Sequence, residues 1–259
     1  IHKAMEKGTY TVDEKDAIVP EVCVINEEAK EIYEKTRKKL RLRICVTGPM
    51  ESYIKEVGTV PYNDVLLMFA ETARRFAKNS ILNSKYVKTE VVSIDEPSFG
   101  IQEVSADKEI TLAVLEKTFD FDGVTRQIHL HSSSRVAELL DVENIDVLSF
   151  EYAASPRNIS SISRSMLEKA DKRVRVGVSR TDIDSMIAEL HEEGVTKPNA
   201  GQLVESEETI RKRFVAAKEK YEDKLTFTGP DCGLGGWPTQ EAAQLLLKRT
   251  VNAAKSAKN

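Results

Sequence analysis

Short β-branched runs alternate along the chain with longer stretches in which apolar residues recur at helical spacing among charged ones. A parallel sheet with crossover helices produces this pattern, because its strands are covered on both faces while each helix keeps one wet side. Six strands are predicted, at 42–47, 90–95, 126–131, 146–151, 174–179 and 224–228. Helices are predicted near 26–40, 61–83, 106–119, 133–141, 160–171, 206–221 and 238–256. The first of these takes Asn26 as its cap, with Glu27 and Glu28 in the first turn and Arg37, Lys38 and Lys39 in the last, as the helix dipole prefers. The stretch 181–205 is longer than one crossover needs; it is read as a helix over 181–193 and a loop holding Gly194, Pro198 and Gly201, a lid or a contact surface. Six β/α units fit an open doubly wound sheet or a (β/α)8 TIM barrel whose first one or two units are absent from the chain. In both folds the chemistry lies at the carboxyl ends of the strands.

Length and charge narrow the picture. The 259 residues approach the roughly 250 typical of an eight-fold barrel, and 1–259 is read as one domain. With 38 basic and 42 acidic residues the net charge is −4, so no basic excess points to nucleic acid or to an anionic membrane. The longest apolar run is the six residues 65–70, against the ~20 that span a bilayer. Three cysteines without a CxxC pair fit a reducing compartment, and a cytoplasmic location is expected. The chain opens on Ile1 in a decapeptide unlike the start of a domain, which leads to the expectation of missing upstream residues.

Strand parity brings candidate chemistry together. Side chains alternate faces with period two, so Gln127, His129 and His131 share one face while Ile128 and Leu130 share the other. Two imidazoles about 7 Å apart on a strand (~3.3 Å per residue) can converge on one metal ion, or form a polar strand end facing solvent. By the same alternation Ser149 and Glu151 face inward, and the last strand leads into a glycine-bounded turn carrying Cys232. His129, His131, Glu151 and Cys232 thus offer ligands that suit zinc from one end of three strands. Ser93 and Asp95 share an inward face too, where a carboxylate can hold a substrate ammonium or steady a ligating imidazole; capping or loop bonding is the alternative for Asp95. Cys23 and Cys45 are read as packing residues, and Trp237 as packing at the start of the last helix.

These residues resemble a known family. Pro230-Asp231-Cys232-Gly233-Leu234 followed by Trp237 and Pro238, Ile94-Asp95-Glu96-Pro97, Thr47-Gly48-Pro49 and Ser149-Phe150-Glu151 together resemble the C-terminal catalytic barrel of cobalamin-independent methionine synthase, especially its short single-domain archaeal type. The likeness runs from about residue 18 to the C-terminus. It implies zinc as cofactor, with His129, Glu151 and Cys232 on ligand positions; the remaining family cysteine falls on His131, a departure. It implies homocysteine as the thiol substrate, with Asp95 at its amino group; Ser93, on the same inward face, is read as substrate-binding beside it, and Asp231 as a support behind the ligands. The nucleophile is then the substrate thiolate on zinc, with no separate protein nucleophile. The first two strands of the family are not found, nor is the folate-binding segment of the long enzymes, which implies methylcobalamin or a corrinoid protein as methyl donor.

The activity expected is therefore S-methyl transfer to homocysteine, in methionine biosynthesis. Exchanging a thiolate for imidazole at residue 131 leaves two anionic ligands opposite a dication, so the bound thiol should be more acidic and less nucleophilic. A different thiol or a more activated donor would suit such a site. The alternatives are a related zinc-thiol methyltransferase acting on a thiol such as coenzyme M, and a barrel without catalysis that serves as a binding partner.

Overall fold

The computed structural model describes residues 1–102 and 104–257. Two compact units emerge, Ile1–His131 with Arg135–Leu148, and Ser132–Ser134 with Ser149–Asn259. All six predicted strands are present: β1 (Leu40–Thr47), β2 (Val87–Asp95), β3 (Thr125–Leu130), β4 (Val147–Glu151), β5 (Arg173–Ser179) and β6 (Leu225–Pro230). They form a six-stranded sheet in the order β1-β2-β3-β4-β5-β6. This sequential order matches the barrel alternative, since a doubly wound sheet reverses direction part-way through its strand order.

The first unit carries helices α1 (His2–Met5), α2 (Pro20–Thr36), α3 (Pro49–Glu56), α4 (Asn63–Asn79), α5 (Lys108–Thr118) and α6 (Val136–Leu139) around β1, β2 and β3. β1 and β2 pair in parallel with Cys45 beside Ser93 and Thr47 beside Asp95. β2 and β3 are also parallel, with Ser93 beside Gln127 and Asp95 beside His129. Thr47, Asp95 and His129 therefore form one row at the strands' carboxyl ends. Beneath α3 and α4 the core holds Met50, Tyr53, Leu66, Phe69, Ala70, Val104 and Val114.

Three expectations in this unit are corrected. α2 begins at Pro20, whose fixed φ and missing N–H suit the first helical position, so Asn26 lies inside the helix; Arg37 ends it in the left-handed conformation at φ 57°. Cys23 and Cys45 are exposed and do not pack in a core. α3 was not anticipated: its eight residues start directly after Gly48, with Pro49 at the first position. α6 occupies only 136–139 of the stretch predicted to be helical, 133–141.

The second unit carries α7 (Asn158–Ser161), α8 (Arg164–Lys169), α9 (Ile183–Glu192), α10 (Ala200–Leu203), α11 (Glu207–Tyr221) and α12 (Gln240–Ser256). β5 and β6 are parallel, with Gly177 beside Gly229 and Ser179 beside Pro230. Hydroxyl caps fix the starts of the long helices: Ser206 accepts from Thr209 N–H and Thr239 from Ala242 N–H. The helix predicted at 160–171 is two helices, because Ile162 turns extended and Ser163 caps the second. The loop expected around Gly201 is instead helical, started by a capping box between Asn199 and Gln202. Within 181–205, Ile183, Leu203 and Val204 pack with Trp237, Ala242 and Leu246, so this stretch is a bracket against α12. No described helix is long and apolar enough to cross a membrane.

Candidate metal centre

In the first unit the ligand wall is β3. Gln127 and His129 are buried on the strand, and His131 follows its last residue, Leu130, half-buried. The two imidazole centroids lie 5.7 Å apart with planes at 72°, as side chains two residues apart on an extended backbone should. Burial pushes the His131 pKa below its usual value, against the pull of Asp95 and Glu51, and so favours the neutral imidazole that can ligate.

Beside that wall, Ser93 is fully buried and donates from Oγ to Asp95 Oδ1 at 2.6 Å. Arg43 Nη2 donates to Ser93 Oγ at 3.1 Å, and the Gln127 amide turns its oxygen to this cluster, where it accepts from Arg43 Nη2 at 3.2 Å. The Arg43 guanidinium also lies 3.9 Å from Asp95 Oδ1, and the Asp95 side chain keeps 29% of its surface exposed. Asp95 is thus aimed by a hydroxyl and a cation while reaching solvent at the strand end. Arg43 was missed from the sequence, although it shares parity with Cys45 and Thr47 on β1.

In the second unit Glu151 ends β4 and is half-buried. Burial, together with the negative charges of Asp231 and Asp182, pushes its carboxyl up to about 7, with Arg175 pulling the other way. Its backbone carbonyl accepts from Asn158 Nδ2 at 2.9 Å. Cys232 is exposed in the turn after β6, and its N–H donates to Thr181 Oγ1 at 3.0 Å. Asp231, just before it, is buried and accepts three backbone N–H groups, from Tyr152, Ala153 and Ala154. Asn158 and Arg175 carry no motif signal in the sequence; Arg175 sits mid-strand, where only its inward parity marks it.

His129 and His131 in the first unit, and Glu151 and Cys232 in the second, each offer one ligand atom to a metal ion. Two imidazoles, a carboxylate and a thiol form a donor set that fits zinc: nitrogen and sulfur for a borderline-soft dication, with an anionic oxygen for charge. Asp95 and Ser93 are not part of this group.

No protein family and no curated protein matches the sequence. Among solved structures, the chain is similar to a B12-independent methionine synthase from Shewanella sp. W3-18-1 in complex with selenomethionine, with a TM-score of 0.59 and 16% identity over 90% of this chain and 66% of that one. The chain has the fold of this synthase. A methyltransferase from Methanosarcina mazei is similar as well, with a TM-score of 0.54 and 14% identity over 96% of this chain and 71% of that one. The chain spans just under two thirds of the synthase's length. At these identities the likeness concerns the methionine synthase fold, and the chemistry rests on the side chains described above.

Proposed function

We propose that the chain is one catalytic domain of the (β/α)8 type that transfers a methyl group to the thiol of homocysteine with zinc as cofactor, giving methionine. The observation that carries this reading is the donor set itself: two imidazoles at the end of β3 in one unit, and a carboxylate ending β4 with a thiol just after β6 in the other. The resemblance of the Pro230–Leu234 and Ile94–Pro97 motifs, and the fold shared with a methionine synthase, support it. On the resemblance to the short enzymes, the methyl donor is assigned to methylcobalamin or a corrinoid protein.

The zinc would be held by those four side chains and, when bound, supplies the positive charge that keeps a substrate thiol ionised at neutral pH. The remaining work belongs to the chain. Asp95 receives the α-ammonium of the amino acid, and Ser93 and Arg43 act on substrate only through Asp95 by fixing its rotamer. This fixes one end of the substrate and so aims its sulfur. In the reaction RS⁻ + CH₃–X → RSCH₃ + X⁻, a sulfur lone pair forms the new S–C bond. The C–X bonding pair leaves with X, and the thiol proton goes to solvent.

The test is zinc content together with thiol methylation. Purified protein should bind one zinc per chain, Cys232→Ala should lose it, and methylcobalamin should methylate homocysteine in preference to coenzyme M. A wild-type protein that takes up no zinc, or that methylates neither thiol, overturns the proposal.

A further inference from the structure

Two of the candidate ligands, Glu151 and Cys232, are joined through one buried carboxylate. Asp231 precedes Cys232 in the chain and is 0% exposed. Its Oδ1 accepts the N–H groups of Tyr152 and Ala153, both at 3.1 Å, and its Oδ2 accepts that of Ala154 at 2.7 Å. These three residues directly follow Glu151. The Asp231 backbone is anchored as well: its N–H donates to the Ser179 carbonyl at 2.8 Å, and its carbonyl accepts from Arg175 Nη1 at 3.2 Å. Arg175 Nη2 also donates to the carbonyl of Pro230, the residue before. Beneath the carboxylate lies Gly177 of β5, where a Cβ would stand 2.2 Å from Asp231 Oδ1 and 2.6 Å from its Cα.

A carboxylate bound in this way has no second place to go. Rotating it would leave three backbone donors without their acceptor, and a buried donor left unsatisfied bears its full desolvation penalty. The segment after Glu151 and the segment before Cys232 therefore move as one body.

We propose that Asp231 is a positioning residue that sets the spacing of Glu151 and Cys232, so that this pair is preformed to take a divalent cation. The inference rests on the zinc reading of the site, and it adds that the bite of two ligands is fixed by a residue that does not touch the metal. Gly177 belongs to the same device: the absence of a side chain there lets the carboxylate sit against β5.

The test compares zinc affinity, by competition with a chromogenic chelator, and the visible absorption of the cobalt(II)-substituted protein across four samples: wild type, Asp231→Asn, Gly177→Ala and Leu66→Ala. The amide of Asp231→Asn turns an N–H toward backbone N–H groups, and Gly177→Ala pushes the carboxylate from the other side. Both should bind zinc about 10- to 100-fold more weakly, with an altered cobalt spectrum. Leu66→Ala lowers stability in the core of the first unit, away from Glu151 and Cys232, and should leave affinity and spectrum as in wild type, which separates positioning from general loosening. Wild-type zinc affinity and spectrum in Asp231→Asn overturn the inference while leaving the zinc reading intact. A wild-type chain that takes up no zinc overturns the zinc reading itself.

Discussion

A Cβ on Gly48 would stand 2.2 Å from both the carboxyl carbon and Oε1 of Glu96, so the Thr-Gly-Pro turn and the buried glutamate fit only because residue 48 has no side chain. Glu96 in return accepts the N–H groups of Met50 at 2.9 Å and Glu51 at 2.8 Å, which have no acceptor inside the first turn of α3. This contact locks the end of β1 to the end of β2, one residue from Asp95. Gly48→Ala should cost about 1–3 kcal/mol, as overpacking does, and should move Asp95 with the displaced glutamate. Urea unfolding and the KM for homocysteine check it; wild-type values for both would show that the turn yields without consequence.

Glu96 also predicts a pH dependence. Burial pushes its carboxyl from the ordinary 4.5 up to about 8, outweighing the two N–H groups that favour the charged form. A group that holds its proton more tightly when folded stabilises the fold below its unfolded pKa, and that contribution falls as pH rises through its folded pKa. Metal-free protein should thus lose stability between about pH 4.5 and pH 8, and Glu96→Gln, which stays neutral, should flatten most of that slope. Thermal melts of both proteins across the range decide it; equal slopes would remove Glu96 as the source.

Much of this was legible in the sequence, and the misses share a cause. The six strands are β-branched runs, buried on both faces in β4 and β5 but on one face only in β1, and period-two parity carried Asp95 and His129 to the same row because parity is geometric. Helix starts were less legible: the Asn26 signal was overridden by Pro20, and α3 carries too short a pattern to stand out. The supporting groups carry no motif: Arg43 and Arg175 are marked by parity alone, and the roles of Arg175 and Gly177 come from Asp231, more than fifty positions away. No spacing within one segment encodes a contact such as Gly177 against Asp231.

The bracket formed by 181–205 is testable through α12. Leu246 is fully buried against Ile183, Leu203, Val204 and Trp237. Truncating it to Ala should cost about 2–5 kcal/mol and loosen α9 and α10. Limited proteolysis between 193 and 199, where Glu193 to Lys197 are mostly exposed, should then speed up well before global unfolding. Unchanged cleavage there would show that the bracket is held by something other than this cluster.

The last prediction concerns His131, where the family resemblance leads one to expect cysteine. Burial already holds the imidazole toward its neutral form at pH 7, so zinc has few protons to displace from it. A cysteine with an ordinary pKa near 8.5 must give up a proton to ligate, and it adds a negative charge. His131→Cys should therefore bind zinc with a steeper pH dependence between about pH 7 and pH 8, by close to one extra proton per metal, and bind more tightly at the upper end. The added negative charge should leave a bound substrate thiol less acidic and more nucleophilic, moving the optimum for homocysteine methylation to higher pH. Zinc affinity measured against pH in both proteins, with methylation rates alongside, tests the two halves separately. An identical proton count in wild type and variant would exclude residue 131 from the metal, and a changed count with an unmoved rate profile would keep it as a ligand while rejecting its effect on the thiol.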